Sequence, residues 1–369
     1  MNVVIAGGGT GGHLFPGIAI AETLSTEFNA NILFVGTERG IEFREVPKAG
    51  FALETIEVAG LKRVGGVQFV KSLFSVPKAF LQSLAIIRQF KPDAVIGVGG
   101  YASGPFVLVA SLLGIPTAIC EQNSVPGFTN KVLAKFVRRI FCAFQRAERY
   151  FPKQKCVISG NPVRQAFFSD TVIEREEGLI FTFGGSQGAQ ILNDVVPSAL
   201  GILQSRGYQL SAVHQTGKSG VESVQKAYDD VSVRADVLSF IENMAEMYQR
   251  ADLIICRAGA TSCAEITALG VPSILIPFPY AADDHQTHNA MDLADSGAAV
   301  ILRQNELTAE SLAGIIERLL ANKSERDEIA ANAKAKGHPD AGYFIAQSAL
   351  TGFTETKQVM TEQTRLVSP

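Results

Sequence analysis

The run Gly7-Gly8-Gly9-Thr10-Gly11-Gly12-His13 offers two chemistries at once. Glycines let backbone N–H groups come close to an anion, and a helix beginning there adds a partial positive charge. His13 stands directly after the loop, where the same dipole favours a neutral imidazole near pH 7, able to take a proton from a hydroxyl. A second Gly-rich run, Gly184-Gly185-Ser186-Gln187-Gly188-Ala189, adds the Ser186 hydroxyl to the same kind of cradle. In Arg257-Ala258-Gly259-Ala260-Thr261-Ser262-Cys263-Ala264-Glu265, small residues open a helix and a carboxylate follows one turn in, where it can accept both hydroxyls of a ribose. Each has a plainer reading: His13 as a packing residue, 184–189 as an ordinary strand-to-helix turn, Glu265 as a capping acid.

Neighbouring patterns narrow the field. Gly7, Gly9 and Gly12 satisfy the spacing G-x-G-x-x-G, and Glu38 beyond the second strand could serve as the ribose-binding acid of a dinucleotide site, so an oxidoreductase remains a rival. Gly217-Lys218-Ser219 looks like the end of a phosphate loop, but Ala212 stands where that loop needs its first glycine, which excludes a nucleoside triphosphatase. Asp283, Asp284, His285, Gln286, His288 and Asn289 form a polar cluster after a buried strand, a common place for a binding loop. His285 and His288 lack a second ligand pair at metal-site spacing, and no D-x-D occurs in the sequence, so chemistry without a metal ion or other cofactor is expected.

These residues need elements to hold them. Short β-branched or apolar runs at 3–6, 32–35, 94–98, 117–120, 179–183, 209–214, 253–256 and 273–277 alternate with helix-length segments, the rhythm of βαβ units and parallel sheets. The pattern also repeats internally. Val98-Gly99-Gly100-Tyr101-Ala102-Ser103 followed by Leu113-Gly114-Ile115-Pro116 is echoed by Cys256-Arg257-Ala258-Gly259-Ala260-Thr261-Ser262 followed by Leu269-Gly270-Val271-Pro272. Two Rossmann-like α/β domains facing a cleft are therefore expected, at 1–160 and 161–339, with a C-terminal helix near 340–355 packing back on the first and a frayed tail beyond.

The 369 residues, 47% hydrophobic and 19% charged, suit two globular domains. Five cysteines without a C-x-x-C pair read as buried thiols in a reducing cytoplasm. Nothing at the N-terminus marks export, and the longest charge-free stretch, 94–120, is broken by glycines and prolines, so no transmembrane helix is expected. Charge is unevenly placed: residues 1–160 hold 17 Lys and Arg against 10 Asp and Glu, the remainder 16 against 26. Within 58–92, Lys62, Arg63, Lys71, Lys78, Arg88 and Lys91 meet no acid and are interleaved with Val67, Phe69, Val70, Leu73, Phe74, Val76, Phe80 and Leu81. A second basic run comprises Lys131, Lys135, Arg138, Arg139 and Arg146. Cations with aromatics suit an anionic membrane surface rather than nucleic acid, although a core-packed helix would explain the apolar residues alone.

Six ordered motifs together resemble the MurG family almost end to end: Gly8-Gly9-Thr10-Gly11-Gly12-His13 through Pro16, Gly99-Gly100-Tyr101 through Pro105, Glu121-Gln122-Asn123, Gly160-Asn161-Pro162-Val163-Arg164, Gly184 through Ala189, and Arg257 through Glu265. The resemblance implies the GT-B architecture and an inverting transfer of N-acetylglucosamine from UDP-N-acetylglucosamine to the C4 hydroxyl of undecaprenyl-linked N-acetylmuramyl-pentapeptide, lipid I to lipid II, at the cytoplasmic face of the cell membrane. It implies a lipid acceptor on the N-terminal domain and a donor held mainly by the C-terminal one. The donor contacts carried over by motif position are Thr10, Gly11, Gly12, Asn123, Arg164, Ser186, Ile241, Ala260, Thr261, Ser262, Cys263, Ala264, Glu265 and Gln286, with His13 catalytic. Ala258 stands where some members carry Ser, and Asp283-Asp284-His285-Gln286 departs from the Asp-x-Gln-Gln of some relatives. A sugar-nucleotide 2-epimerase on the same fold is the second rival.

Overall fold

A computed structural model of the chain describes residues 1–58, 66–168, 173–185, 187–218 and 220–354, with the backbone alone for 66–76. It divides into two compact units, Met1–Arg164 with the segment that begins at Pro339, and Gln165–His338.

Among the described residues, the first unit holds seven strands: β1 (Asn2–Gly7), β2 (Asn31–Gly36), β3 (Ala52–Thr55), β4 (Ala94–Gly99), β5 (Thr117–Glu121), β6 (Arg139–Cys142) and β7 (Cys156–Ile158). All are parallel, in the order β3-β2-β1-β4-β5-β6-β7. The helices between them are α1 (Gly11–Phe28), α2 (Glu42–Lys48), α3 (Gly66–Phe90), α4 (Ser103–Leu112) and α5 (Phe128–Leu133). β1 is apolar without alternation because both faces are covered: Val3 and Ile5 join Leu14 and Ile18 of α1, whereas Val4 and Ala6 join Phe106 and Val107 of α4. From β1 the chain steps outward to β2 and β3, and from β4 it steps the other way. The helices that follow these two strands lie on opposite faces of the sheet, so the strand order reverses between β1 and β4.

The second unit repeats the plan. In chain order it contains β8 (Leu179–Phe183), α6 (Gln190–Ser205), β9 (Ser211–Gln215), α7 (Val221–Asp230), β10 (Arg234–Leu238), α8 (Met244–Arg250), β11 (Leu253–Cys256), α9 (Ala260–Leu269), β12 (Ser273–Leu275), α10 (His285–Ala294), β13 (Val300–Ile301), α11 (Ala309–Ala321) and α12 (Lys323–Ala335). The parallel order is β10-β9-β8-β11-β12-β13, so the reversal lies between β8 and β11. A last described helix, α13 (Ala341–Leu350), belongs to the first unit, where Phe344, Ile345, Ala346 and Ala349 enter the core that holds Val3 and Ile5. The Phe344 ring meets Phe141 of β6 edge to face, with centroids 6.0 Å apart.

The strands that apolar runs failed to reveal, β3, β6, β7, β10 and β13, lie at or next to sheet edges. β3 and β10 are exposed on alternate residues, so neither carries a continuous apolar run. β9 begins at Ser211 rather than 209, and β12 ends at Leu275 rather than 277. Four cysteines are buried and Cys156 is half-buried, its thiol 3.1 Å from that of Cys142 on the neighbouring strand. Among the described residues no helix is long and apolar enough to cross a membrane.

Candidate active site

In the first unit the two loops at the strand-order reversal lie backbone against backbone. The Gly8 N–H donates to the Gly99 carbonyl at 3.1 Å, and a Cβ on Gly100 would strike the Gly8 carbonyl. Gly8 and Gly9 have φ of 140° and 86°, conformations that side chains disfavour. The loop feeds Thr10 and then α1, whose first turn carries Gly11, Gly12 and His13. The imidazole lies over Gly99, where a Cβ would come within 2.8 Å of Cδ2, and its Nδ1 is 3.4 Å from the Thr10 hydroxyl. The Phe15 ring covers Gly11, and the Arg164 guanidinium stacks on that ring at 4.5 Å, which brings Arg164 to the start of α1.

The loop after β5 is fixed from below. Glu121, at the end of that strand, accepts from the Asn123 N–H at 3.0 Å, the Gly127 N–H at 3.2 Å and the Asn130 amide at 2.8 Å. Burial raises its carboxyl above the ordinary value, and these donors oppose the shift. Gln122 donates to the Val98 carbonyl at 3.0 Å, tying the loop to β4. Glu38, the candidate acid of a dinucleotide site, is exposed; Glu42 is the carboxylate that reaches the Gly-rich loop, accepting the Gly9 N–H at 2.6 Å. That internal acceptor takes an amide which a dinucleotide loop would offer to pyrophosphate, and this counts against the oxidoreductase.

In the second unit, Gly184 and Gly185 follow β8, and Ser186 lies outside the described residues. Gly188 and Gly217 face each other, a Cβ on either striking a carbonyl of the opposite loop. Gln215, buried at the end of β9, donates to the Gly185 carbonyl at 3.1 Å and accepts the Ile241 N–H at 2.9 Å, so it joins the Gly-rich loop to the donor-contact candidate Ile241. Beneath them His214 is fully buried between the Tyr228 hydroxyl at 2.9 Å and Asn193 Oδ1 at 3.1 Å. The Asn193 amide nitrogen donates to the Thr216 carbonyl at 3.2 Å, which turns its oxygen to the ring and assigns the His214 proton to Nε2.

Ala260, Thr261, Ser262, Cys263, Ala264 and Glu265 all lie on α9, which starts at the carboxyl end of β11 beside the reversal point. The buried Glu265 accepts from the Tyr248 hydroxyl at 2.8 Å. Tyr248 is enclosed by Phe167, Phe181 and Phe183, and burial, followed by the Glu265 charge, pushes its phenol well up, so it remains a donor. The Cys263 thiol is buried and pushed up to about 12 by that burial, and its N–H donates to the Gly259 carbonyl at 2.9 Å. Gln286 Oε1 accepts the Phe278 N–H at 3.0 Å, which turns the amide nitrogen the other way. Sequence reading missed Glu42, Gln215 and Tyr248, whose partners lie 33, 26 and 17 residues away, with no local pattern to mark them.

The basic face differs in part from expectation. Lys62 and Arg63, and the side chains of Val67, Phe69, Val70, Lys71, Leu73, Phe74 and Val76, lie outside the described residues. Lys78 pairs with Glu57 at 2.6 Å, Phe80 packs against the core, and Leu81 is exposed. Arg138 and Arg139 donate to the Gly352 and Thr354 carbonyls, tethering the segment after α13. Along and just beyond α5, Phe128, Val132 and Phe136 are exposed at a spacing of four, with Lys131 and Lys135 exposed beside them and Leu112 and Leu113 exposed at the end of α4.

Residues 3–142 match the glycosyltransferase family 28 N-terminal domain and residues 179–342 its C-terminal domain. The chain is 48% identical to the UDP-N-acetylglucosamine–N-acetylmuramyl-(pentapeptide) pyrophosphoryl-undecaprenol N-acetylglucosamine transferase of Myxococcus xanthus, over 96% of this chain and 94% of that one. It is 48% identical to the transferase of the same name from Syntrophus aciditrophicus, over 95% and 98%. Among solved structures it is similar to Acinetobacter baumannii MurG, with 35% identity, a TM-score of 0.77 and coverage of 95% and 99%. A UDP-GlcNAc 2-epimerase from Neisseria meningitidis, at 12% identity, a TM-score of 0.67 and coverage of 95% and 100%, shares the fold.

Burial holds the His214 imidazole near 4, below the value of about 6.5 for an exposed ring. Between those pH values the unfolded chain binds a proton that the folded chain does not, so the contribution is complete above about pH 6.5 and declines as pH falls toward 4, by roughly 3 kcal/mol in all. Denaturant unfolding at stepped pH should reveal this slope in the parent and a flatter one in His214→Gln; equal slopes would show that His214 titrates normally.

Proposed function

We infer the reaction from membership and site together: the chain belongs to the MurG family of glycosyltransferases, and it transfers N-acetylglucosamine from UDP-N-acetylglucosamine to undecaprenyl-linked N-acetylmuramyl-pentapeptide, converting lipid I to lipid II in peptidoglycan synthesis. The observation that carries this reading is 48% identity sustained over 96% of the chain to a transferase of that specificity. The acceptor C4 hydroxyl attacks the anomeric carbon, the bond from that carbon to the diphosphate breaks, and UDP leaves with the electron pair. One in-line displacement inverts the α-linked donor to a β-linked product without a covalent enzyme intermediate.

His13 takes the acceptor proton as the new bond forms, an assignment supported by its place at a helix start beside the strand-order reversal of the first sheet. In the second unit, the first-turn amides of α9 and the Gly184-Gly185 loop, with the Ser186 hydroxyl, suit the diphosphate. Glu265 suits the ribose hydroxyls, and the Gln286 amide suits the sugar. Thr10, Gly11, Gly12, Asn123 and Arg164 are the donor contacts proposed from the first unit, and the Ile241 backbone is one from the second. A 2-epimerase takes the same sugar nucleotide without an acceptor, and its likeness to this chain is confined to the fold. Radiolabelled UDP-N-acetylglucosamine should therefore yield labelled lipid product when the lipid acceptor is present and stay unchanged without it; epimerised sugar in the absence of acceptor would favour the rival.

The acceptor is anchored in a bilayer, and the exposed stripe of Phe128, Val132 and Phe136 with Lys131 and Lys135 supports a peripheral membrane contact through the first unit, on the cytoplasmic side. Aromatics enter the interface while each lysine near anionic headgroups adds about 1 kcal/mol.

Two measurements test these assignments. Glu265→Ala should weaken UDP binding by roughly 1 to 3 kcal/mol in calorimetry, the range for losing a charged hydrogen-bond partner, and unchanged affinity in the folded variant would remove the ribose role. Cosedimentation with anionic vesicles should weaken with salt and drop in a Phe128→Ser, Phe136→Ser, Lys131→Glu, Lys135→Glu variant that still binds UDP. Equal binding to neutral vesicles would refute the patch.

A further inference from the structure

We propose that Glu42 is a positioning residue of the transfer reaction: its buried carboxylate fixes the turn that carries Thr10 and, through Thr10, the His13 imidazole. This rests on the reading of His13 as the residue that acts on the acceptor.

Glu42 opens α2, is 1% exposed, and uses both oxygens. Oε2 accepts the Gly9 N–H at 2.6 Å, and Oε1 accepts the Thr37 N–H at 2.8 Å and the Thr37 hydroxyl at 2.9 Å. Its surroundings are cleared for it, because a Cβ on Gly8, Gly36 or Gly40 would collide with its side chain. Three glycines, one from the loop after β1, one at the end of β2 and one in the turn before α2, thus enclose one carboxyl group. The turn it holds is tied to the loop after β4 through the Gly8 N–H, but Gly8 and Gly9 have positive φ and Thr10, at the N-cap of α1, makes no side-chain cap bond. The Thr10 hydroxyl instead lies 3.4 Å from His13 Nδ1, so the position of Thr10 is passed to the ring. A buried polar group with both oxygens engaged is costly to disturb, which makes the bond to Gly9 a restraint on a soft turn.

Glu42→Gln separates this restraint from bulk packing. The isosteric amide must turn its NH2 toward either the Gly9 N–H or the two Thr37 donors. Facing Gly9 loses that bond outright; facing Thr37 loses the Thr37 N–H bond while its hydroxyl turns to accept, and leaves Gly9 a neutral acceptor in place of a charged one, so in either orientation the restraint on the turn weakens. The enzyme assay with the lipid acceptor should show kcat lowered by about tenfold to hundredfold, the scale for a misplaced reacting group. Because Thr10, Gly11 and Gly12 are also proposed donor contacts, kcat is read at saturating UDP-N-acetylglucosamine. His13→Ala alone should lower kcat by about 10²- to 10⁴-fold. If Glu42 acts through His13, Glu42→Gln in the His13→Ala background should cost less than about twofold more. A purely structural role would leave the two losses multiplicative.

Should Glu42→Gln not fold, Glu42→Asp, one methylene too short to span both partners, enters the same cycle. Near-parental turnover of His13→Ala would overturn the histidine's role and with it this route. A deficient His13→Ala with a multiplicative double variant would overturn the Glu42 inference alone, as would a Glu42→Gln kcat within twofold of the parent.

Discussion

A methyl group has no room where strand-end loops meet in either sheet, between β1 and β4 in the first and between β8 and β9 in the second. The carbonyl of Gly8 stands against Gly100, and the Gly188 and Gly217 turns stand against each other. Such contact is open to glycine, and it brings amides and carbonyls of successive turns to one spot at the carboxyl ends of parallel strands. The cost is a backbone with little intrinsic stiffness just where the proposed site residues begin.

Polar side chains from beneath restore that stiffness. Glu42 and Glu121 in the first unit, and Gln215 and the His214–Asn193 pair in the second, are buried and spend their hydrogen-bonding capacity on loop backbone or on the groups that hold it. A buried polar group with satisfied partners is tolerated, whereas a mobile loop would leave it unpaired, so each loop and its support stabilise one another. Tyr248 does the same for Glu265 at one remove, through a phenol kept protonated by its aromatic surroundings.

What was legible in the sequence follows from range. β1, β4, β8 and β11 are buried on both faces, and their apolar runs announce them locally. The Gly-rich turns and the helix start at 259–265 are also local patterns. β3 and β10 escaped because half of an edge strand faces water and its residues read as loop. Glu42 escaped for another reason: nothing near it in the chain distinguishes it from Glu38, and its partner Gly9 is reached only when β1 and β2 lie side by side. Lys78, read as an unopposed cation, meets Glu57, which sits just outside the acid-free window. The resemblance to a family supplied what spacing could not, namely which sugar and which acceptor.

The first unit is discontinuous, because its core contains Phe344, Ile345, Ala346, Ala349 and Phe353 from beyond the second unit. On a ribosome the residues of β1 to β7 emerge long before α13, so the apolar face that receives Phe344 stays open while about 170 further residues are made, at roughly 5 to 20 per second. The second unit is contiguous and has all of its strands and helices in hand first. The birth order of the two halves is thus the reverse of the order in which their cores can be closed, and an open apolar face of the emerging first half is a surface on which chaperones act.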